Sequence, residues 1–199
     1  MVEAAGVEPA SENVTGGVCF ATFSGDLAPA LLTLDAEIDI VGPEGRRTEP
    51  LAALYIGHSK HDGDEGLGDG KNFLSLMPGE LVTAVRARKV PGLRSGYDKL
   101  RIRRSIEYPV AGAAVALRRA GDTLADLRVA ITGTNPRPVR LKGTAALCGG
   151  PLDGRVFDGL DELVRDQIMA MKTTFTPGHY RRRVAGVLAR RLVQRLFEG

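Results

Sequence analysis

Four groups of side chains in this sequence are of types that do chemistry. The first is His58, His61, Asp62, Asp64 and Glu65, inside GHSKHDGDEGLGDGK. Histidine and carboxylate at three- and four-residue spacing are ligand types for a divalent metal, but such a site needs a rigid frame and neighbours that orient the ligands. Glycine fills this stretch, and closing a loose loop around an ion costs ordering entropy. It is therefore read as a solvated surface loop. The second group is the two cysteines, Cys19 and Cys148, far apart in the chain. On its neighbours alone Cys19, beside Phe20, is a small buried hydrophobe. Cys148, within AALCGG, reads as packing beside a helix C-cap. The third is Tyr97, Lys99, Arg101, Arg103 and Arg104, in YDKLRIRR, which runs directly into the small-residue stretch VAGAAVAL. A basic segment feeding such a run can hold an anion at the mouth of a core, or it can be a solvated strand edge; these residues leave both open. The fourth is the C-terminal arginines, six between residues 180 and 199 against the single Glu198. No stacking aromatics are interleaved with them, which favours a solvated or partner-docking face over an RNA surface.

Other chemistries are excluded by motif. The chain holds no G-x-x-x-x-G-K-[ST] loop, no strand-borne G-x-G-x-x-G and no G-x-S-x-G elbow. Two histidines lie in the glycine-rich loop and His179 sits at a helix start, so no catalytic residue is expected. The 199 residues suffice for one large or two small domains with a real core. Apolar content of 43% with a net charge of +3 fits a globular chain and gives no argument for nucleic acid. Two distant cysteines are no disulfide framework and suggest a reducing compartment. No apolar run reaches the ~18 residues of a membrane span, and the acidic N-terminus lacks the pattern of a secretory signal. A cytoplasmic protein is expected.

The elements that must position these groups follow from periodicity. Residues 1–17 read as a disordered leader. Ser24-Gly25-Asp26 offers an N-cap for a short helix, LAPALLTLD, with Pro29 in its first turn. Residues 37–41 alternate as a strand, 42–45 turn, and 46–48 begin a return. Pro50 opens a short apolar element ending near Ile56. Strands are expected at 72–77 and 81–90, with a turn at Pro78-Gly79. Pro91-Gly92 and Ser95-Gly96 read as a break, placing a subdomain boundary near residue 95. Beyond it, strands at 108–119 and 123–132 flank a hairpin turn at Ala120-Gly121-Asp122. Three helical segments follow, at 142–147, 159–171 and 177–197. The last carries Tyr180, Val184, Val187, Leu188, Leu192 and Leu196 on one side and arginines on the other.

Three ordered blocks resemble the flavin-binding medium subunit of the molybdenum hydroxylases, the xanthine oxidase and carbon monoxide dehydrogenase family. They are SGDLAPALLTLDAEIDIV followed by GPEGRRTEPLAALY, then LMPGELVTAV, then residues 97–117 with RVAITGTNPRPVRL and HYRRRVAGVLARRLV after them. Cys19 ahead of SGDLAPALL, and IEYPVAGAAVAL, are similar to the 4-hydroxybenzoyl-CoA reductase branch. The resemblance implies an α+β fold: a partial second FAD subdomain at 18–95, a mixed sheet with a helix, then a C-terminal domain at 96–199 in which a small antiparallel sheet packs on a three-helix bundle. It implies FAD as cofactor, with Asp26 at the isoalloxazine and ribityl region, Leu81 or Val82 as a backbone contact near the ring, and Lys99 as a cation beside the reduced flavin. It also implies that Cys19 is the last of four [4Fe-4S] ligands. The partners implied are a large molybdopterin-binding subunit and a small [2Fe-2S] subunit, with no nucleic acid and no membrane.

The departures from the pattern carry expectations of their own. The family's glycine-rich pyrophosphate loop, its "T-I-G-G" loop and three of the four cluster cysteines have no counterpart here. The chain is therefore expected to be the C-terminal part of a flavin subunit, cut inside the cluster loop. It is expected to bind FAD weakly or not at all on its own, and to hold no intact [4Fe-4S] cluster. The alternative reading is a non-catalytic module that docks on partners through its basic C-terminal helix.

Overall fold

The computed structural model describes residues 26–56, 74–103, 108–170 and 176–199. The histidine and carboxylate group at 58–65, Cys19, Arg104 and the leader at 1–17 lie outside them. Helix α1 (Leu27–Thr33) places Ala28, Leu31 and Leu32 on one buried face by three- and four-residue spacing. It ends in a pair of backbone bonds, from Ala36 N–H to the Leu31 carbonyl (3.1 Å) and from Asp35 N–H to the Leu32 carbonyl (3.4 Å). This closure puts a left-handed residue just past the helix end. Asp35 fills that position, at φ 50°.

The chain then forms β1 (Glu37–Gly42) and β2 (Gly45–Pro50) and a 3-10 turn (Leu51–Leu54), and later β3 (Leu81–Arg86). These strands make a three-stranded antiparallel sheet in the order β2-β1-β3, where a mixed sheet is implied by the resemblance. Ile38 and Ile40 alternate onto the face covered by α1, where they join Leu51, Leu54 and Tyr55 in a core. Among the described residues of the strand expected at 72–77, only Leu74 pairs, in an isolated bridge with Tyr55. Lys89 and Val90 lie beyond the end of β3.

The second sheet is antiparallel, in the order β4 (Arg94–Leu100), β5 (Ala111–Ala120), β6 (Thr123–Thr132), β7 (Val139–Arg140). Gly121, at φ 58°, takes the first central position of the two-residue β5–β6 loop. Strand β4 corrects the expectation of a break at Ser95-Gly96. That glycine is a packing residue: a Cβ there would lie 3.2 Å from Leu192 Cδ2 and 3.5 Å from Leu196 Cδ2. A strand crossed this closely by a helix needs its backbone bare.

Alternation along β5 sorts its residues by size. Ala113, Val115 and Leu117 join the main core with Leu127, Val129 and Ile131 of β6. The residues between them, Gly112, Ala114 and Ala116, form a strip of small groups on the opposite face. The main core is closed by α2 (Gly154–Gln167) and α3 (Gly178–Glu198). Each fully buried Leu, Ile or Val there contributes about 1.5–3 kcal/mol. Ala130 of β6 reaches the α1 core from the small-residue face, so this sheet is covered on both sides.

The C-terminal helices differ in detail from expectation. The first is a single 3-10 turn (Thr144–Leu147). Helix α2 starts five residues before 159 because the Asp153 carboxylate caps it, accepting from the N–H groups of Arg155 (3.0 Å) and Val156 (3.4 Å). Helix α3 buries Ala185, Leu188, Ala189, Leu192 and Val193, whereas Tyr180 and Val187 are exposed. Arg181, expected on the solvated side, turns inward and donates to the carbonyls of Val110 (3.2 Å) and Gly133 (2.7 Å). At the other end, Arg94 and Arg119 donate to the Phe197 carbonyl, meeting acceptors that the last helical turn leaves free.

Candidate functional site

Asp26 and Lys99 are 73 positions apart and form an ion pair where α1 meets β4. Asp26 occupies the N-cap position of α1, yet its carboxylate makes no capping bond. It reaches across to the second sheet instead. There its Oδ1 accepts from the Tyr97 hydroxyl at 2.8 Å, and its Oδ2 pairs with Lys99 Nζ. An aspartate that forgoes the backbone donors beside it, in favour of two side chains on another element, is placed for those side chains.

Tyr97 and Lys99 are two residues apart on β4 and so share a face. That face carries the small-residue strip: Tyr97 stands opposite Ala114 and Lys99 opposite Gly112. The phenol lies flat enough over the strand that a Cβ on Gly112 would come 2.5 Å from its oxygen. Burial, and then the Asp26 carboxylate at its hydroxyl, push the Tyr97 phenol well above the ordinary tyrosine range. The Lys99 side chain is only 19% exposed while that of Asp26 is 42% exposed. One side of the carboxylate is therefore satisfied within the protein and the other faces outward. A carboxylate has about four acceptor positions, and the bonds from Tyr97 and Lys99 leave two for the N–H or O–H groups of a ligand. The polar edge of a flavin, with imide and ribityl donors beside carbonyl acceptors, fits this donor set.

Leu81 and Val82 belong to the other sheet. Leu81 is 64% exposed at the start of β3, and Val82 packs into the α1 core. The turn before them is held by Glu80, which accepts from Met77 N–H at 2.8 Å and takes both terminal nitrogens of Arg47. Arg47, with the Met77 N–H, holds the Glu80 carboxyl below the usual carboxylate range. On the same sheet Arg86 and Thr48 bind the nearly covered Asp39, and Arg86 foremost holds its carboxyl low. Arg101 and Arg103 are exposed beyond β4. Cys148 is half-buried against the main core, its thiol pushed up by burial, with Sγ 3.6 Å from the Thr144 carbonyl. A shallow depression at the end of α3 is lined by Arg191, Gln194, Arg195, Glu198 and Gly199, none of them a residue of the expected site.

Sequence reasoning names Asp26 and Lys99 but gives Tyr97 no role. The signal was present: an aromatic residue two positions before the lysine shares its face once 94–100 is a strand. Asp35 is a second omission. Its carboxylate accepts from Arg128 at 2.5 Å and pairs with Arg140, tying the end of α1 to the second sheet. Among the described residues no group of His, Cys, Asp and Glu is arranged to hold a metal, and no helix is long and apolar enough to cross a membrane.

Comparison with known proteins places these segments. Residues 95–196 match the model for the CO dehydrogenase flavoprotein C-terminal domain, and residues 13–87 that for the FAD binding domain in molybdopterin dehydrogenase. The chain is 30% identical over 174 residues to the carbon monoxide dehydrogenase medium chain of Afipia carboxidovorans, covering 86% of this chain and 56% of that one. It is 31% identical over 129 residues to the aldehyde oxidoreductase FAD-binding subunit PaoB of Escherichia coli, covering 64% and 37%. Among solved structures, the reconstituted CO dehydrogenase from Oligotropha carboxidovorans superposes with a TM-score of 0.74 at 28% identity, over 87% of this chain and 56% of that one. The chain thus spans little more than half the length of the carbon monoxide dehydrogenase relatives, and less of PaoB. Asp26 lies in the first matched segment and Tyr97 and Lys99 in the second, so the ion pair joins the two. The chain belongs to the family of FAD-binding medium subunits of the molybdenum hydroxylases.

Proposed function

We propose that this chain is the flavin-holding, electron-passing part of a molybdenum hydroxylase-type oxidoreductase, with Asp26, Tyr97 and Lys99 contacting the flavin. One observation carries the proposal: the half-exposed Asp26 carboxylate is held by a partly buried phenol and a lysine at the meeting point of the two matched segments. Asp26 accepts from the ligand, Lys99 sets a positive charge beside it, and Tyr97 fixes the carboxylate and excludes water from its inner side. FAD, when bound, supplies one- and two-electron transfer. A cation near the flavin favours the anionic reduced form, so Lys99 tunes where electrons rest. Leu81 and Val82 are further candidates for contact, through the backbone of β3.

The affinity of these residues alone for FAD is weak. A pyrophosphate is held by an array of backbone N–H donors, and each charge-assisted hydrogen bond lacking costs roughly 1.5–3 kcal/mol. Flavin fluorescence titration tests the site: Asp26→Asn and Lys99→Met each weaken FAD binding, by roughly tenfold or more. Equal affinity in all three proteins would remove these residues from the site. Stoichiometric yellow flavin retained through gel filtration would contradict weak binding.

The finer reading is a 4-hydroxybenzoyl-CoA reductase-like enzyme. Cys19 ahead of SGDLAPALL, and IEYPVAGAAVAL, support it. The partners are then a molybdopterin-binding large subunit and a [2Fe-2S] small subunit, and Cys19 is a remnant ligand of a [4Fe-4S] cluster. Such a cluster absorbs near ~400 nm and bleaches on reduction; that band in the isolated chain would show the remaining ligands to be supplied. A second reading, a docking module that has lost FAD, draws on the exposed Arg183, Val187 and Arg191 of α3. A thermal shift on adding FAD argues against it.

A further inference from the structure

We infer that Gly112 is a positioning residue for the Asp26–Tyr97–Lys99 site, its missing side chain being the hollow that seats the Tyr97 phenol. The inference rests on the flavin reading only for what the site holds, not for how it is built. Glycine in a buried strand weakens it and therefore marks a close approach. At Gly112 the backbone does not require glycine, since its φ is not among the positive values that set apart Gly121 or Gly133. Space requires it. Tyr97 stands opposite Ala114, and its ring crosses the strand diagonally to Gly112. A Cβ there would meet the phenol oxygen at 2.5 Å, Cζ at 3.1 Å and the Thr132 methyl at 2.9 Å.

The neighbours leave the ring little room to yield. The Thr132 methyl stands on β6, the next strand, where antiparallel pairing fixes the backbone. The phenol oxygen is also held by Asp26, at 2.8 Å. An added methyl group therefore lifts the ring from the strand and breaks its bond to Asp26. Asp26 then keeps only Lys99 of its two named partners.

The test follows each tyrosine in the full chain by NMR of a 13C label at Cζ. In Gly112→Ala the Tyr97 signal at neutral pH moves away from its wild-type position. The same displacement persists in Gly112→Ala/Thr132→Ser, which removes the methyl but keeps the overlap with the phenol. An unchanged Tyr97 signal in Gly112→Ala, or a restored one in the double variant, overturns the inference. If Gly112→Ala fails to fold, the Tyr97→Phe background decides. Without the phenol oxygen, Gly112→Ala folds. Failure to fold there too overturns the inference. A displaced phenol with FAD affinity unchanged would count against the flavin reading and leave the role of Gly112 standing.

Discussion

The two sheets are built on different principles. The second, β4-β5-β6-β7, is covered on one face by α2 and α3 and meets α1 on the other, and its central strands are largely buried. The first, β2-β1-β3, packs Ile38 and Ile40 into the core they share with α1, and ion pairs line both of its faces. Arg86 and Thr48 hold Asp39 on the face away from those isoleucines, and Arg47, opposite Ile40, holds Glu80 on the other. Apolar burial barely depends on pH or salt, whereas ion pairs depend on both. The candidate site lies where the start of α1, which packs on the small-residue face of the second sheet, meets that sheet's edge strand β4. The edge strand supplies Tyr97 and Lys99, and the start of the helix supplies Asp26.

The comparison is broken most sharply by truncating side chains. Leu117→Ala, at a fully buried position of β5, is expected to cost about 2–5 kcal/mol by denaturant unfolding. Leu81→Ala, on the exposed start of β3, should stay within about 0.5 kcal/mol of wild type. Similar losses at both positions would mean that the two sheets do not differ as described.

Acid should separate the sheets next. The carboxyls of Asp39 and Glu80 are held below their ordinary values, chiefly by hydrogen bonds from Arg86 and Arg47. A carboxyl depressed in the folded state stabilises above its unfolded value, near ~4, and loses that contribution as pH falls through the lowered folded value. Amide exchange in β1 and β3 should therefore accelerate below about pH 4, before that in β5 and β6. Asp39→Asn should lower stability at neutral pH and flatten this acid dependence. Simultaneous loss of protection in both sheets would contradict the assignment.

The smallest effect belongs to the tie between the units. Asp35 is half-exposed, so losing its pairs with Arg128 and Arg140 in Asp35→Asn should cost about 0.2–1 kcal/mol. The cost should shrink in high salt. A larger, salt-independent loss would show that Asp35 holds the junction through something other than its charge.

Much of this fold is legible in periodicity. The alternation at 37–41 and the strand at 123–132, the short helix after Asp26 and the long C-terminal helix all stand, to within a residue or two, where their patterns put them. What escaped depends on contacts between distant segments. Gly96 looks like a turn residue until Leu192 and Leu196 lie over it. Arg181 looks solvated until its role at the Val110 and Gly133 carbonyls is known. The site divides the same way. No local spacing links Asp26 to Lys99, so family resemblance alone singles them out, and only the fold adds Tyr97 and Gly112.

The central claim is that flavin meets this chain at Asp26, Tyr97 and Lys99. The most direct measurement is a titration of the 15N-labelled chain with FAD, followed residue by residue by NMR, which reads weak binding as well as tight. The predicted result is that shifts concentrate at the start of α1 and along β4 from Gly96 to Leu100, and that Lys99→Met moves the titration to roughly tenfold higher FAD or beyond. Shifts centred on the arginines of α3, or a titration at α1 and β4 unchanged by Lys99→Met, would contradict it.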